Sequence, residues 1–349
     1  MANKIRTYYL KTFGCAMNEA DSERIKSIFN SRGHRETKNI AKAKVIIINS
    51  CIVRKSAENR AYGLINNLKK KNYQGQIILT GCLAGWALLD KTHKNLKVLQ
   101  KRIGLKIKMV LIEDLAGFLV KPKRAKNNLA LIPISNGCNH FCSYCIVPFG
   151  RGKEISRPEK VIFAEVKKAL KDGFSEILLL GQNINSYGKD LKNTSFPELL
   201  EKIAKIKNVK KISFLSANPW DFSDELIKVI AENKNISREI HLPLQSGDDA
   251  ILKKMNRPYM AKEYLNLVNK IKRAIPEVLF TTDVIVGFPT ETKKQFQNTV
   301  KLAKKIGFQK AYLAKYSPRP GTIATKLKDD VSPPEKKRRW RILEELINK

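Results

Sequence analysis

Strand-like and helix-like segments alternate along nearly the whole of this 349-residue chain. Tyr8 to Thr12 reads as a strand. Asn18 to Arg32 reads as a helix, with Ile25, Ile28 and Phe29 on one face and Gly33 as its stop. Val45 to Asn49 is a β-branched run, as in a buried parallel strand, followed by a helix over Arg54 to Lys71 and a strand over Gln76 to Thr80. Such alternation predicts a doubly wound parallel α/β sheet. A second series supplies strands at Leu129–Ser135, Glu176–Gly181, Lys211–Ser216, Glu239–Leu244, Phe280–Val286 and Lys310–Tyr316. Helices fit between them at Pro158–Lys171, Phe196–Ile206 and Thr292–Ile306, and a last helix at about Pro334 to Asn348. Six strand–helix units are two short of a complete eightfold barrel and predict a partial (βα)6 barrel. The expected division is 1–120 for the first domain, 121–128 for a basic linker and 129–349 for the barrel.

The cysteines fall on this frame in two groups of three. Cys138, Cys142 and Cys145 have the spacing C-x3-C-x2-C in a loop directly after the first barrel strand, at the face where barrels keep their active sites. Thiolates suit iron–sulfur clusters, zinc and copper(I). A structural zinc or an electron-transfer cluster takes four protein ligands, so three leave one metal position open for a substrate or cofactor. Cys15, Cys51 and Cys82 are far apart in sequence, yet each stands just past the carboxyl end of a predicted strand. In an open parallel sheet those ends share the ligand-binding edge. One such cysteine alone would be read as a small buried hydrophobe; three in the same topological position point to one site. His140, inside the second loop, offers an alternative Cys3His zinc site, which leaves the other three cysteines unexplained. Six cysteines in this length make no disulfide scaffold.

Lysine and arginine number 67 against 32 acids, a formal charge of +35. The natural partner of such a chain is a polyanion, RNA or DNA with an acidic membrane surface the weaker option, although a lysine-rich proteome would also raise surface charge. The apolar runs 45–48 and 177–180 are too short to span a bilayer, and the first residues hold no signal-peptide core, so a cytoplasmic, membrane-free protein is expected.

Cys-x3-Cys-x2-Cys with Tyr144 before the last cysteine resembles the radical S-adenosylmethionine (SAM) signature. YYLKTFGCAMNEADSER, INSCIVRKSAENR and TGCLAG resemble the N-terminal domain of the methylthiotransferases. GCNHFCSYCIVPFGRGKEISRP, LLLGQNINSYG, HLPLQSGDDAILKKMNRPYM, TTDVIVGFPTET and YSPRPGT extend the likeness, which is greatest to the MiaB type within that family. The resemblance implies two 4Fe–4S clusters: one on Cys138, Cys142 and Cys145 that cleaves SAM, and one on Cys15, Cys51 and Cys82 that handles sulfur. It implies transfer of a methylthio group to C2 of N6-isopentenyladenosine beside the anticodon of tRNA. It also implies an electron donor such as a flavodoxin or ferredoxin, and a sulfur source. Tyr144, Gln182, Asn183, Ser216 and Gln245 are the implied SAM contacts, with simple packing an equal reading of Tyr144. Gly287 and Pro289 resemble the turn near the adenine. The family's RNA-binding TRAM domain is expected to be absent, since the sequence stops at Lys349. Two rival functions are a methylthiotransferase acting on threonylcarbamoyladenosine or a ribosomal protein, and a non-catalytic metal-stabilised RNA-binding module. His241 reads as a hydrogen-bonded core residue and Asp283 as a satisfied buried polar one. The run Lys336-Lys337-Arg338-Arg339-Trp340-Arg341 and the basic residues of the linker read either as RNA-backbone contacts or as solvated charge.

Overall fold

A computed structural model describes residues 6–104, 107–124 and 128–349. The middle of the basic linker, 125–127, lies outside the described residues. The chain forms two compact units: Met1–Asn139 with Ile146–Phe174, and His140–Cys145 with Ser175–Lys349.

The first unit begins with β1 (Thr7–Phe13), α1 (Ala16–Ser31), β2 (Arg35–Glu36), β3 (Val45–Ser50), α2 (Lys55–Lys70), β4 (Gln76–Thr80), α3 (Cys82–Leu88), α4 (Lys94–Ile103), β5 (Lys108–Met109) and α5 (Ile112–Ala116). The strands pair in parallel in the order β2-β1-β3-β4-β5. This is the flavodoxin-like doubly wound order, in which the chain reverses its winding between β1 and β3. All six residues of β3 are buried, because helices cover both faces of the sheet. One face packs Ile46, Ile48, Ala61, Ile65, Leu83 and Leu99; the other packs Tyr8, Ile25, Ile47 and Ile112. Each fully buried Ile or Leu contributes about 1.5–3 kcal/mol. The unit also holds β6 (Leu129–Pro133), β7 (Ser135–Asn136), α6 (Val147–Arg151), β8 (Ile155–Ser156) and α7 (Glu159–Lys171), with β7 and β8 antiparallel.

The second unit runs β9 (Glu176–Leu180), α8 (Phe196–Ala204), β10 (Lys211–Phe214), α9 (Asp224–Glu232), β11 (Glu239–His241), α10 (Asp249–Lys254), α11 (Ala261–Ala274), β12 (Leu279–Val286), α12 (Lys293–Ile306), β13 (Lys310–Lys315) and α13 (Pro333–Ile347). Parallel pairing joins β9 to β10, and β12 to both β11 and β13. Helix starts follow their capping chemistry. Ser195 and Thr292 accept from the third helical N–H while Glu198 and Gln295 reach back to the cap. Strands β6 and β9 to β13 are the six expected along the chain, several of them shorter than predicted. Among the described residues no helix is long and apolar enough to cross a membrane.

Two residues of the charged run 336–341 depart from both readings of it. Lys336 and Arg339 are buried, Lys336 on Asp329 at 2.6 Å and Arg339 on Glu291 at 2.7 Å and Glu335 at 2.8 Å. Only Lys337, Arg338 and Arg341 of its basic residues face solvent, and Arg338 is itself paired with Glu335. In the linker Arg124 is spent on Glu165, which also takes Arg157 at 2.6 Å.

Candidate active site

In the first unit Cys15 follows β1, Cys51 follows β3 and Cys82 opens α3 directly after β4. They thus sit at the carboxyl edge, on either side of the topological switch point, where an open α/β sheet binds ligands. Asn49, at the end of β3, holds these three loops together. Its Nδ2 donates to the Asn18 carbonyl at 2.8 Å and to Ser22 Oγ at 3.0 Å, and its Oδ1 accepts from Asn18 Nδ2 at 3.1 Å. Asn18 Oδ1 in turn accepts from the Cys15 N–H at 3.3 Å. Gly81, before Cys82, has φ +79 and lies so close to Asn49 that a Cβ would stand 2.2 Å from Oδ1. Only glycine meets both demands.

The sulfurs themselves interact. A hydrogen bond shared with Cys82 pulls the Cys51 thiol down, and the same bond, with burial, pushes the Cys82 thiol up. Cys51 Sγ also accepts from the Val53 N–H at 3.2 Å. Cys82 Sγ accepts from Arg151 Nε at 3.1 Å. Among the described residues no three His, Cys, Asp or Glu side chains close on a single metal ion. A cubane asks for something different, since each thiolate binds its own iron. Three thiols without a fourth, one of them with an N–H donor and one with a guanidinium donor, are a donor set that fits a cluster with one open iron.

Of the second cysteine set, Cys142 and Cys145 lie in the second unit. The loop between them is pinned by backbone and hydroxyl bonds. The Ser143 N–H donates to the Met255 carbonyl at 2.9 Å, Ser143 Oγ donates to the Lys254 carbonyl at 2.7 Å, and the Ala324 N–H donates to the Ser143 carbonyl at 2.7 Å. Arg257 is buried beside Cys142 Sγ at 3.8 Å, anchored by the Pro243 carbonyl at 3.0 Å and laid over the Trp220 ring at 4.8 Å. His140 Nε2 accepts from Trp220 Nε1 at 3.1 Å, so this lone pair is already used. Asp221 accepts from Asn183 at 2.9 Å and Lys189 at 2.5 Å. Burial alone would raise its carboxyl, but these partners hold it at about 2, with the His140 ring 3.7 Å away.

The expected SAM contacts all lie in this unit. Asn183 follows β9 and Gln245 follows β11, both buried, and among the described residues Asn183 Oδ1 and Gln245 Oε1 have no hydrogen-bond partner. Gln245 and Ser216 hold positive φ, +64 and +66, which aims both residues away from the ordinary strand direction. Buried unpaired acceptors at strand ends fit a ligand rich in N–H and O–H donors, as SAM is with its amino group, ribose and adenine. Gln182 is half-buried beside Asn183. Tyr144 packs on Ile251, Met255, Phe288 and Tyr316, which gives its packing reading concrete partners. His241 is hydrogen-bonded as expected, with Thr281 at 3.0 Å and Asp283 at 3.2 Å, but His241 and Asp283 are half-buried rather than core residues, because β12 turns Asp283 toward solvent. Arg151, Asp21, Arg257, Trp220 and Asp221 were not singled out from sequence. Arg151 and Arg257 stand within the quoted motifs GRG and NRP, but one arginine among 67 basic residues carries no signal by itself.

A family model described as the Radical SAM superfamily matches residues 132–303, and the uncharacterised protein family UPF0004 matches residues 7–100. Two solved structures show the same fold. The radical SAM methyltransferase TsrM from Kitasatospora setae, with cobalamin and a 4Fe–4S cluster bound, has a TM-score of 0.63 at 13% identity, over 92% of this chain and 74% of that one. The cobalamin-dependent SAM radical enzyme OxsB has a TM-score of 0.57 at 9% identity, over 98% and 56%. Fold and site together define a radical SAM enzyme, a class that works with a 4Fe–4S cluster and SAM.

Curated relatives narrow this. The tRNA-2-methylthio-N(6)-dimethylallyladenosine synthase of Staphylococcus haemolyticus is 42% identical over 369 residues, 99% of this chain and 72% of that protein. Its namesake in Thermotoga petrophila is 41% identical over 355 residues, 96% and 80%. The chain belongs to the family of tRNA-2-methylthio-N(6)-dimethylallyladenosine synthases, which are radical SAM methylthiotransferases.

Proposed function

We propose that this enzyme replaces the C2–H of N6-isopentenyladenosine, next to the anticodon of tRNA, with a methylthio group. The observation that carries the reading is identity near 40% to such synthases across 99% of the chain. Residues 1–120 would be the methylthiotransferase domain and 129–349 the radical SAM core, joined by 121–128. Cys138, Cys142 and Cys145 would hold the cluster that meets SAM; Cys15, Cys51 and Cys82 would hold a second. When bound, the first supplies the electron that cleaves SAM, and the second an open iron for sulfur.

The chain's own residues then have defined tasks. Asn183, Gln245, Gln182 and Ser216 would orient SAM by hydrogen bonds at strand ends, with Tyr144 bordering the site. The Asn18–Asn49 amide pair would keep the three loops of the second cysteine set in register. An aromatic C2–H is not acidic, so the polypeptide supplies position rather than a base. The target base lies in a single-stranded loop and need only be splayed out to be reached. Lysine and arginine would hold the tRNA backbone, an electron donor such as a flavodoxin or ferredoxin would feed the first cluster, and a separate source would supply sulfur. A cytoplasmic location goes with that substrate.

The test is anaerobic reconstitution with iron and sulfide, then reaction with SAM, a reductant and isopentenylated tRNA, read by nucleoside mass spectrometry. A methylthio adduct on the isopentenyladenosine is expected. Product on threonylcarbamoyladenosine or a ribosomal protein instead, or a zinc-loaded chain that leaves SAM intact, would overturn the proposal.

A further inference from the structure

Arg151 ends α6, six residues beyond Cys145, yet its side chain points into the first unit's cysteine edge. The side chain is 3% exposed. Its guanidinium has three partners: Nε donates to Cys82 Sγ at 3.1 Å, Nη1 to Asn136 Oδ1 at 2.9 Å, and Nη2 to Asp21 Oδ2 at 2.7 Å. Asp21 is wholly buried and is shared with a second buried cation, Arg24. Asp21 is the one carboxylate in direct contact with both guanidinium groups, and Glu113 joins the network through Asn136 Nδ2 at 2.9 Å, its carboxyl raised by burial. A buried charge left uncompensated costs several kcal/mol. The remaining acceptor of Arg151 is the Cys82 sulfur at 3.1 Å, so a fixed guanidinium is aimed at one thiol of the set.

The guanidinium is also held in place. Helix α3 meets α6 glycine to glycine: a Cβ on Gly85 would stand 2.0 Å from the Gly150 carbonyl oxygen, and one on Gly150 would stand 3.0 Å from the Cys82 carbonyl oxygen. Arg151 follows Gly150 directly, so this close approach fixes its distance from Cys82.

Resting on the reading that Cys15, Cys51 and Cys82 hold a second 4Fe–4S cluster, we propose that Arg151 is a positioning residue for that cluster, orienting the Cys82 ligand and raising the cluster's reduction potential, with Asp21 as the opposing charge. The physical basis is direct. One-electron reduction adds a negative charge to the cluster, and a nearby cation and a hydrogen bond to a ligand sulfur both favour the more negative state. The Asp21 carboxylate acts in the opposite sense. Lysine cannot replace the fork, because an ammonium cannot reach three acceptors in one plane.

The experiment uses the full chain with Cys138, Cys142 and Cys145 all changed to alanine, so that any cluster belongs to the other set. After anaerobic reconstitution with iron and sulfide, its potential is measured by titration followed by electron paramagnetic resonance. Arg151→Met should shift the midpoint down, Asp21→Asn should shift it up, and Arg151→Lys should fall between the parent and Arg151→Met with an altered resonance. A purely structural role for Arg151 would lower cluster content without this reversal of sign. Unchanged midpoints, or shifts of the same sign for Arg151→Met and Asp21→Asn, overturn the proposal. If Arg151→Met fails to retain iron, the Asp21→Asn and Arg151→Lys shifts decide it. A parent chain that takes up no iron overturns the two-cluster reading and the proposal with it; a parent that binds iron leaves failure of the shifts to count against Arg151 alone.

Discussion

The same chemical change, glycine to alanine, should have opposite effects at two helical positions of the first unit. At Gly85, in α3, the new Cβ would stand 2.0 Å from the Gly150 carbonyl oxygen, well inside the 3.4 Å at which ordinary contact begins. The obstacle is backbone, and α6 is held by the three bonds of Arg151, so the helices must part by about an ångström or more. Overpacking of this kind costs about 1–3 kcal/mol, and the upper end applies where backbone must move. Alanine's helix preference returns about 1 kcal/mol, for a net loss near 2 kcal/mol. At about 2–4 °C per kcal/mol, Gly85→Ala should lower the melting temperature of the reduced apo chain by about 4–8 °C. Gly63 lies exposed in α2 with nothing within 4 Å of a Cβ. Gly63→Ala should stabilise by about 0.4–1 kcal/mol, mostly by restricting the unfolded chain. Thermal unfolding of both variants beside the parent is the assay. A Gly85→Ala melting temperature equal to or above that of Gly63→Ala would refute the close-packing argument.

Three further outcomes are expected. Arg157→Ala removes one of two cations from the buried Glu165 carboxylate, and urea unfolding should show a loss of about 3–5 kcal/mol; a loss below 1 kcal/mol would show that Arg124 suffices alone. Ser195→Ala deletes one half of the α8 capping box and should cost about 0.5–2 kcal/mol in the same assay, with SAM cleavage unaffected. Alanine at Cys15, Cys51 and Cys82 together should leave SAM cleavage intact while abolishing methylthio product by mass spectrometry, and normal product formation there would remove the proposed division of labour.

The strand–helix alternation, the places of the cysteines and the parallel pairing were legible because they are written in local chemistry. A β-branched run, a capping box and a cysteine one residue past a strand each need only a few neighbouring letters. The strand order β2-β1-β3-β4-β5 was not legible, since pairing partners are chosen by packing between distant segments. It is this order that sets Cys15 and Cys51 on either side of the switch point. The run Lys336 to Arg341 shows the limit from the other side. Its letters read as uniform charge, but Lys336, Arg339 and Leu343 share one face of α13 and are buried there. Arg151 and Asp21 are 130 residues apart, and nothing in either local sequence names the other. A buried ion pair exists only where the fold removes water from both charges at once. The sequence by itself therefore determined which residue types can hold iron and where the strands that carry them end. The tertiary structure alone decided which charges surround those sulfurs.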